Sequence, residues 1–310
     1  MSVPRRAVLL GGIGLAAACV GAGYELVQNG ALPGKYTLAR LDGACGSEPP
    51  AITGPLPRRQ VESFFSEYRH REVQMVTLIP AGAAGTRELG VVVALHGAGG
   101  GAVSMANLVG PAMTRAKVAR FVTICVDGGD TYWHKHADGD DPVGMIVHEV
   151  LPRALAAGLS VGRIGITGLS MGGYGALLLA ERFAAGSGTA PSVAAGSGTA
   201  PSVAAVAALS PAIFPSYASA RASNGASFDS PADFNRNNVL ADLEALRHVP
   251  AWIACGADDP FQPQTSQVLT RLAALTGRPV PGGILSGCHD DAFWNRNMPA
   301  ALQFIGAQLT

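Results

Sequence analysis

The stretch Arg163–Ala176, RIGITGLSMGGYGA, constrains what this chain can fold into more than any other. It opens as an apolar, β-branched run and breaks into Gly168-Leu169-Ser170-Met171-Gly172-Gly173. Small residues and an apolar, helix-like segment, Ala176–Phe183, follow. A turn this tight between a strand and a helix leaves no room for bulky side chains two places before and two places after its central residue. Gly168 and Gly172 hold those two places around Ser170. The pattern G-x-S-x-G on a strand–turn–helix exposes the serine hydroxyl at the C-terminal edge of a sheet, over a helix N-terminus. Without that context the same residues are a glycine-rich β–α turn with an incidental serine.

The rest of the chain supplies the context. Gly90–Leu95 (GVVVAL) is a continuous apolar run, the mark of a strand buried on both faces. Val73–Ile79, Phe121–Val126, Arg163–Thr167, Val203–Leu209, Ala251–Ala254 and Gly283–Leu285 read as further strands. Helices are predicted between them at Ala102–Val109, Pro142–Ala157, Gly172–Phe183, Pro231–Leu246, Pro263–Leu275 and Trp294–Gln308. Ser230-Pro231 is a good helix start, with a capping serine and proline at the first helical position. The alternation predicts an α/β domain with a mainly parallel sheet and helices on both faces. The 310 residues, 48% hydrophobic, suffice for one large core. With 22 basic and 22 acidic residues the charges cancel, so no nucleic-acid partner is implied. Gly186–Ala195 and Gly196–Ala205 both read GSGTAPSVAA, a tandem duplication expected in a surface loop, where added length costs little.

Met1–Gly23 has two arginines, Arg5 and Arg6, before an uncharged apolar segment. This is the layout of an export signal and resembles a twin-arginine signal, with an uncleaved membrane anchor and lipid attachment at Cys19 as the other readings. Either way the expected location is outside the cytoplasm, secreted or associated with the cell envelope. Residues 24–60, rich in Gly and Pro, read as a linker and an arm lying on the domain, and 61–310 as the catalytic domain. None of the five cysteines has C-x-x-C spacing. Cys255 and Cys288 fall on neighbouring predicted strands and read either as a disulfide or as two buried thiols.

A serine needs a base to take its proton and a group to orient that base. His289, in Ser286-Gly287-Cys288-His289-Asp290-Asp291, directly follows the last predicted strand and is the candidate base. His70, His148 and His248 read as surface residues. The acid should leave the strand end before it, where Gly256-Ala257-Asp258-Asp259 offers two aspartates; Asp259 is preferred over Asp258. Backbone donors for a developing oxyanion are expected from Met171 and from Ala98 or Gly99, in the loop His96-Gly97-Ala98-Gly99-Gly100-Gly101. His96 itself reads as structural more than as a second base. Tyr132 and Trp133, in Asp127–His134 after the Phe121–Val126 strand, read either as an apolar or sugar-stacking wall or as packed loop anchors. Trp294 is a further candidate for the substrate pocket, with His96, Tyr132 and Trp133. The run Asp138–Asp141 invites a calcium reading but lacks the later ligands of such a loop, so a solvated turn is expected and no metal is assigned.

The order serine, acid, histidine is that of α/β-hydrolases. With HGAGGG, GLSMGGYGA, CGADDPF and GCHDDAFW in sequence, the chain resembles the esterase D-type α/β-hydrolases over roughly Glu62–Gln308. That superfamily includes secreted esterases and the mycolyltransferase antigens of mycobacteria. The resemblance implies an α/β-hydrolase fold and carboxylic-ester hydrolysis or acyl transfer, with no metal or organic cofactor. The expected substrate is a small acyl ester or an envelope acyl sugar or lipid. The segment Phe214–Pro250 is too short for a large lid. Three functions follow: an esterase, an acyltransferase passing the acyl group to a sugar or lipid hydroxyl, or an inactive envelope-binding protein on the same scaffold.

Overall fold

The computed structural model describes residues 35–185 and 201–309. The predicted export signal and most of the decamer duplication lie outside the described residues. In chain order the strands are β1 (Arg58–Ser66), β2 (Arg71–Ile79), β3 (Gly90–Leu95), β4 (Phe121–Val126), β5 (Ser160–Leu169), β6 (Ser202–Leu209), β7 (Ala251–Asp258) and β8 (Gly282–Cys288). The longer helices are α1 (Lys35–Leu41), α2 (Ala102–Arg115), α3 (Pro142–Met145), α4 (Leu151–Ala156), α5 (Met171–Ala184), α6 (Tyr217–Ser223), α7 (Pro231–Arg236), α8 (Gln262–Thr276) and α9 (Asp291–Gln308). One sheet holds all these strands in the order β1-β2-β4-β3-β5-β6-β7-β8. β1–β2 and β2–β4 pair antiparallel, and every later pair is parallel.

Strand periodicity sorts the core into two layers. Val91, Val93 and Leu95 of β3 pack with Leu177, Leu178 and Val150 on one face. Val92 and Ala94 pack with Met105 and Val109 of α2 and with Leu302 and Ile305 of α9 on the other. A strand with both faces covered must be apolar at every position, as GVVVAL is.

Several elements depart from expectation. β1 is not among the expected strands: its first three residues fall in the segment read as the arm and its first six are exposed, leaving no period of two to detect. The helix expected over Pro142–Ala157 is interrupted by a π-turn, Ile146–Val150. Pro152 lacks an amide and cannot continue the i→i−4 ladder. The helix expected over Pro231–Leu246 stops at Arg236. Its Ser230 cap accepts from the Asp233 amide as anticipated. The Asn237 carbonyl, however, takes the Tyr174 hydroxyl, and the chain re-forms only a 3₁₀ turn at Leu243–Leu246. The acidic run Asp138–Asp141 is neither a calcium loop nor a solvated turn. Asp140 is buried against Arg69, at 2.6 and 2.9 Å, and Asp141 caps α3 through the Gly144 amide at 2.8 Å.

The arm is tied to the domain rather than resting on it. Cys45 forms a disulfide with Cys288, and Cys255 is a free, buried thiol. Pairing of Cys255 with Cys288 fails on register, because Cys255 lies opposite Ile284 and Cys288 lies opposite Asp258. His70, His148 and His248 are exposed, as read from the sequence.

Candidate active site

β5 ends at Leu169 and α5 begins at Met171, so Ser170 is the whole of the turn between them. Its backbone has φ 54° and ψ −121°, a region that non-glycine residues rarely enter. The flanking glycines are required by backbone, not by side chains. A Cβ on Gly168 would sit 2.1 Å from the Gly172 carbonyl oxygen, and one on Gly172 would sit 2.0 Å from that of Leu95. The strained turn is anchored on both sides. The Ser170 amide donates to Leu209 O at 2.9 Å, and the Ser170 carbonyl accepts from Tyr174 at 3.0 Å and Ala212 at 2.9 Å.

The His289 ring lies between Ser170 and Asp259. Its Nε2 is 2.9 Å from Ser170 Oγ, and its Nδ1 is 2.8 Å from Asp259 Oδ2. Asp259 has no exposed side-chain surface, whereas the His289 side chain is 22% exposed. Burial would push the Asp259 carboxyl up, but the hydrogen bonds from His289 and from the Phe261 amide hold it below the ordinary aspartate range. A carboxylate facing Nδ1 fixes the proton there and leaves Nε2 as the acceptor for the serine hydroxyl. Asp258, the alternative acid, ends β7 and does not take part.

Two backbone amides are candidate donors beside Ser170, one next to it in the chain and one in the loop after β3, where a Cβ on Gly97 would sit 3.3 Å from Ser170 Cβ. Met171 is the first residue of α5, so its amide has no partner within the helix. The loop after β3 presents the second. No acceptor engages the Ala98 amide among the described residues, but the Gly99 amide donates to Asp130 Oδ1 at 2.6 Å. Gly99 is thereby removed as the second donor, and Ala98 remains. His96 is buried and shapes this loop: its Nε2 accepts from the Gly128 amide at 2.9 Å, and its Nδ1 lies 2.7 Å from Gly97 O. It belongs to the scaffold, not to the pocket wall.

No protein-family model matches the chain, and no curated protein is significantly similar to it. Solved structures are. A ferulic acid esterase superposes with a TM-score of 0.64 at 19% identity, covering 81% of this chain and 98% of its own. A thermostable esterase from Pseudomonas putida gives 0.63 at 19% identity, covering 93% of this chain and 96% of its own. An S-formylglutathione hydrolase from Agrobacterium tumefaciens gives 0.59 at 18% identity, covering 81% and 95% respectively. The chain has the α/β-hydrolase fold.

Within the α/β-hydrolase fold, Ser170, Asp259 and His289 leave the C-terminal ends of β5, β7 and β8, three parallel strands of one sheet. The aromatic surroundings differ from the sequence reading. Tyr132 and Trp133 are 3% and 1% exposed. They support the loop from beneath: Tyr132 packs on Tyr174, Phe214 and Phe228, and Trp133 donates to His96 O at 3.3 Å. Trp294 does reach the site, edge-on to the His289 ring with centroids 5.1 Å apart. Phe261, which sequence reasoning missed, covers the ring at 5.2 Å. Its position two residues after the acid was the available signal.

A histidine cluster lies beside Phe228, on which the His134 ring stacks with centroids 5.1 Å apart. His134, His136 and Asp233 bring ligand-type atoms within 4.8 Å of one another. The ring nitrogens are already engaged by the protein: His134 Nε2 with Ser227 O at 3.0 Å, His136 Nδ1 with Asp229 at 2.9 Å, and His136 Nε2 with Thr131 O at 2.7 Å. Both His136 partners are acceptors, so both of its nitrogens carry protons. Burial works against that charge, but the bonds to Asp229 and the Thr131 carbonyl raise its pKa above the ordinary histidine value. The neighbouring His134 has its pKa pushed down, first by burial and then by His136. A cavity of about 1040 Å³ adjoins this cluster, lined by His136, Asp229, Arg182 and Glu181 but by none of Ser170, Asp259 and His289.

Proposed function

We propose that this chain is a serine esterase that hydrolyses carboxylic esters through an acyl-enzyme. The observation that carries the reading is the unbroken hydrogen-bond chain from Asp259 through both nitrogens of His289 to Ser170. Esterases and serine hydrolases among the structural neighbours support it.

In the proposed mechanism Ser170 Oγ attacks the ester carbonyl while His289 Nε2 takes its proton. Asp259 keeps Nδ1 protonated and stabilises the imidazolium that forms. The oxyanion receives N–H donors from Met171 and Ala98. His289 returns the proton to the leaving alkoxide, and the alcohol departs. Water then repeats the sequence on the acyl-enzyme, its proton passing to His289 and on to Ser170 as the acid is released. The strained Ser170 backbone is consistent with this role, since such strain persists where function needs it.

α6 and α7, which follow β6, have 7 and 6 residues, and among the described residues no large lid follows β6. Short-chain p-nitrophenyl esters are therefore the proposed substrates. Export is part of the proposal, because a disulfide persists in an oxidising compartment. Labelling by a fluorophosphonate tests the reading. Folded wild type should react and Ser170→Ala should not; folded wild type that fails to react sinks it. The same arrangement serves transfer to a sugar or lipid hydroxyl, and acyl release measured with and without an alcohol acceptor separates the two.

A further inference from the structure

The base of this site is held by a part of the chain remote from it in sequence. Among the described residues β8 is the edge strand of the sheet and pairs only with β7. Its last residue is Cys288, and Asp290 is the cap of α9, accepting from the Phe293 amide at 3.0 Å. His289 is the single residue between these two anchors. Cys288 is bonded to Cys45 at a sequence separation of 243, with Ala39 of α1 packed over both. Arg296 of α9 reinforces the same junction. Its Nη2 donates to Cys45 O at 2.9 Å and its Nη1 to Ser47 O at 2.7 Å. Asn295 adds a bond to Glu48 at 2.9 Å. Both cysteines are buried, at 6% and 2% exposure.

We infer that the Cys45–Cys288 disulfide, seated by Arg296, is the positioning device for His289, so that the catalytic geometry is complete only when the bond is oxidised. This rests on the esterase reading above. On reduction by a dithiol, two electrons and two protons convert the bond to two thiols while the reductant closes to its own disulfide. The arm then loses its covalent hold on the residue beside the base. The His289 ring is free to drift from Ser170 while the sheet and the elbow stay intact. Displacing a reacting group by about 1 Å can cost two orders of magnitude in rate without affecting ground-state binding.

The test compares the oxidised full chain, the chain reduced by a dithiol, and Cys45→Ser, all at a temperature where circular dichroism shows each fully folded. The expected result is a kcat roughly tenfold or more below wild type for both altered forms, with KM within about twofold. The fluorophosphonate labelling rate should fall in parallel, reoxidation should restore the reduced wild type, and Cys45→Ser should not respond to reductant. Arg296→Lys, which keeps the disulfide and one donor, should give a smaller loss in the same direction. It serves as the second variant if Cys45→Ser does not fold. Unchanged kcat and labelling in the folded, reduced forms would overturn the inference, leaving the bond a stabiliser only. So would alkylation mapping that finds Cys45 and Cys288 as free thiols in the active, unreduced chain. Failure of the esterase reading is separate, since it shows as no labelling of oxidised wild type.

Discussion

Ser170 and His289 are neighbours in space, yet they are held in opposite ways. The serine is set by its own stretch of chain: Gly168 and Gly172 allow the turn, and the strand before and helix after fix its direction. The histidine lies two residues after a glycine, Gly287, at φ 141° near the end of an edge strand, and owes its place to Cys45, Arg296 and Asp259, none within five residues of it. The difference teaches that a nucleophile elbow is a local device and the base opposite it is a tertiary one. Local devices are written in consecutive residues; tertiary ones are distributed over the chain.

The strongest way to break the tertiary half is Asp259→Asn. The fold and the hydrogen-bonding distance survive, but an amide facing Nδ1 favours the wrong tautomer, and kcat should fall on the order of 10⁴-fold. Asp258→Asn, assayed beside it on the same ester, should stay within about twofold; the reverse ranking would reassign the acid. The local half breaks at Gly172→Ala. The added Cβ must move the Leu95 carbonyl, so kcat/KM should drop by about 10² or more and the thermal midpoint should fall with it. A Gly172→Ala enzyme with normal activity would show that the elbow is not sterically fixed. Cys45→Ser, beyond its effect on kcat, should cost roughly 2–5 kcal/mol of stability in denaturant unfolding.

Two titrations sharpen the contrast at smaller scale. His136 joins Thr131 to Asp229 across a long sequence gap and is held charged by that tie. Its folded pKa is raised, so the stability it gives is whole below about pH 6.5 and is lost as pH climbs through the folded value. Denaturation of wild type and His136→Gln should therefore differ most near pH 6 and converge as pH rises into the alkaline range. Glu181 has the opposite problem. It lies on α5, the elbow helix, buried with its Oε1 unpartnered, and burial raises its pKa well above the ordinary value. Its folded pKa is raised, so the stability it gives is whole below about pH 4.3 and is lost as pH climbs through the folded value. Glu181→Gln should be the more stable protein at pH 8, with the advantage shrinking at pH 5; no pH dependence in the difference would refute the buried acid.

Most of the sheet was legible because its central strands are buried on both faces, and continuous apolar runs such as Gly90–Leu95 have few other interpretations. β1 was not, because an exposed edge strand has no burial pattern to display. Asp259 over Asp258 is a choice between adjacent residues that the sequence leaves open; in the fold it is Asp259 that bonds His289 Nδ1. The single long helix expected after Ser230 failed because a tertiary partner, the Tyr174 hydroxyl, competes for the Asn237 carbonyl. Gly99 fitted the oxyanion loop by composition, and only the fold shows that Asp130 already occupies its amide.

The sequence by itself determined the serine, because steric limits at a strand–helix turn act over two residues on either side and leave glycines as their record. It also determined the order in which the serine, acid and histidine reach one sheet edge, since alternating strands and helices leave few topologies. What only the tertiary structure decided is the hold on the histidine. Cys45 carries no local signal of its partner, and a bond between residues 243 apart is set by which strand lies at the sheet's edge and which face the arm covers. Covalent pairing depends on distance and direction in space, and chain spacing encodes neither.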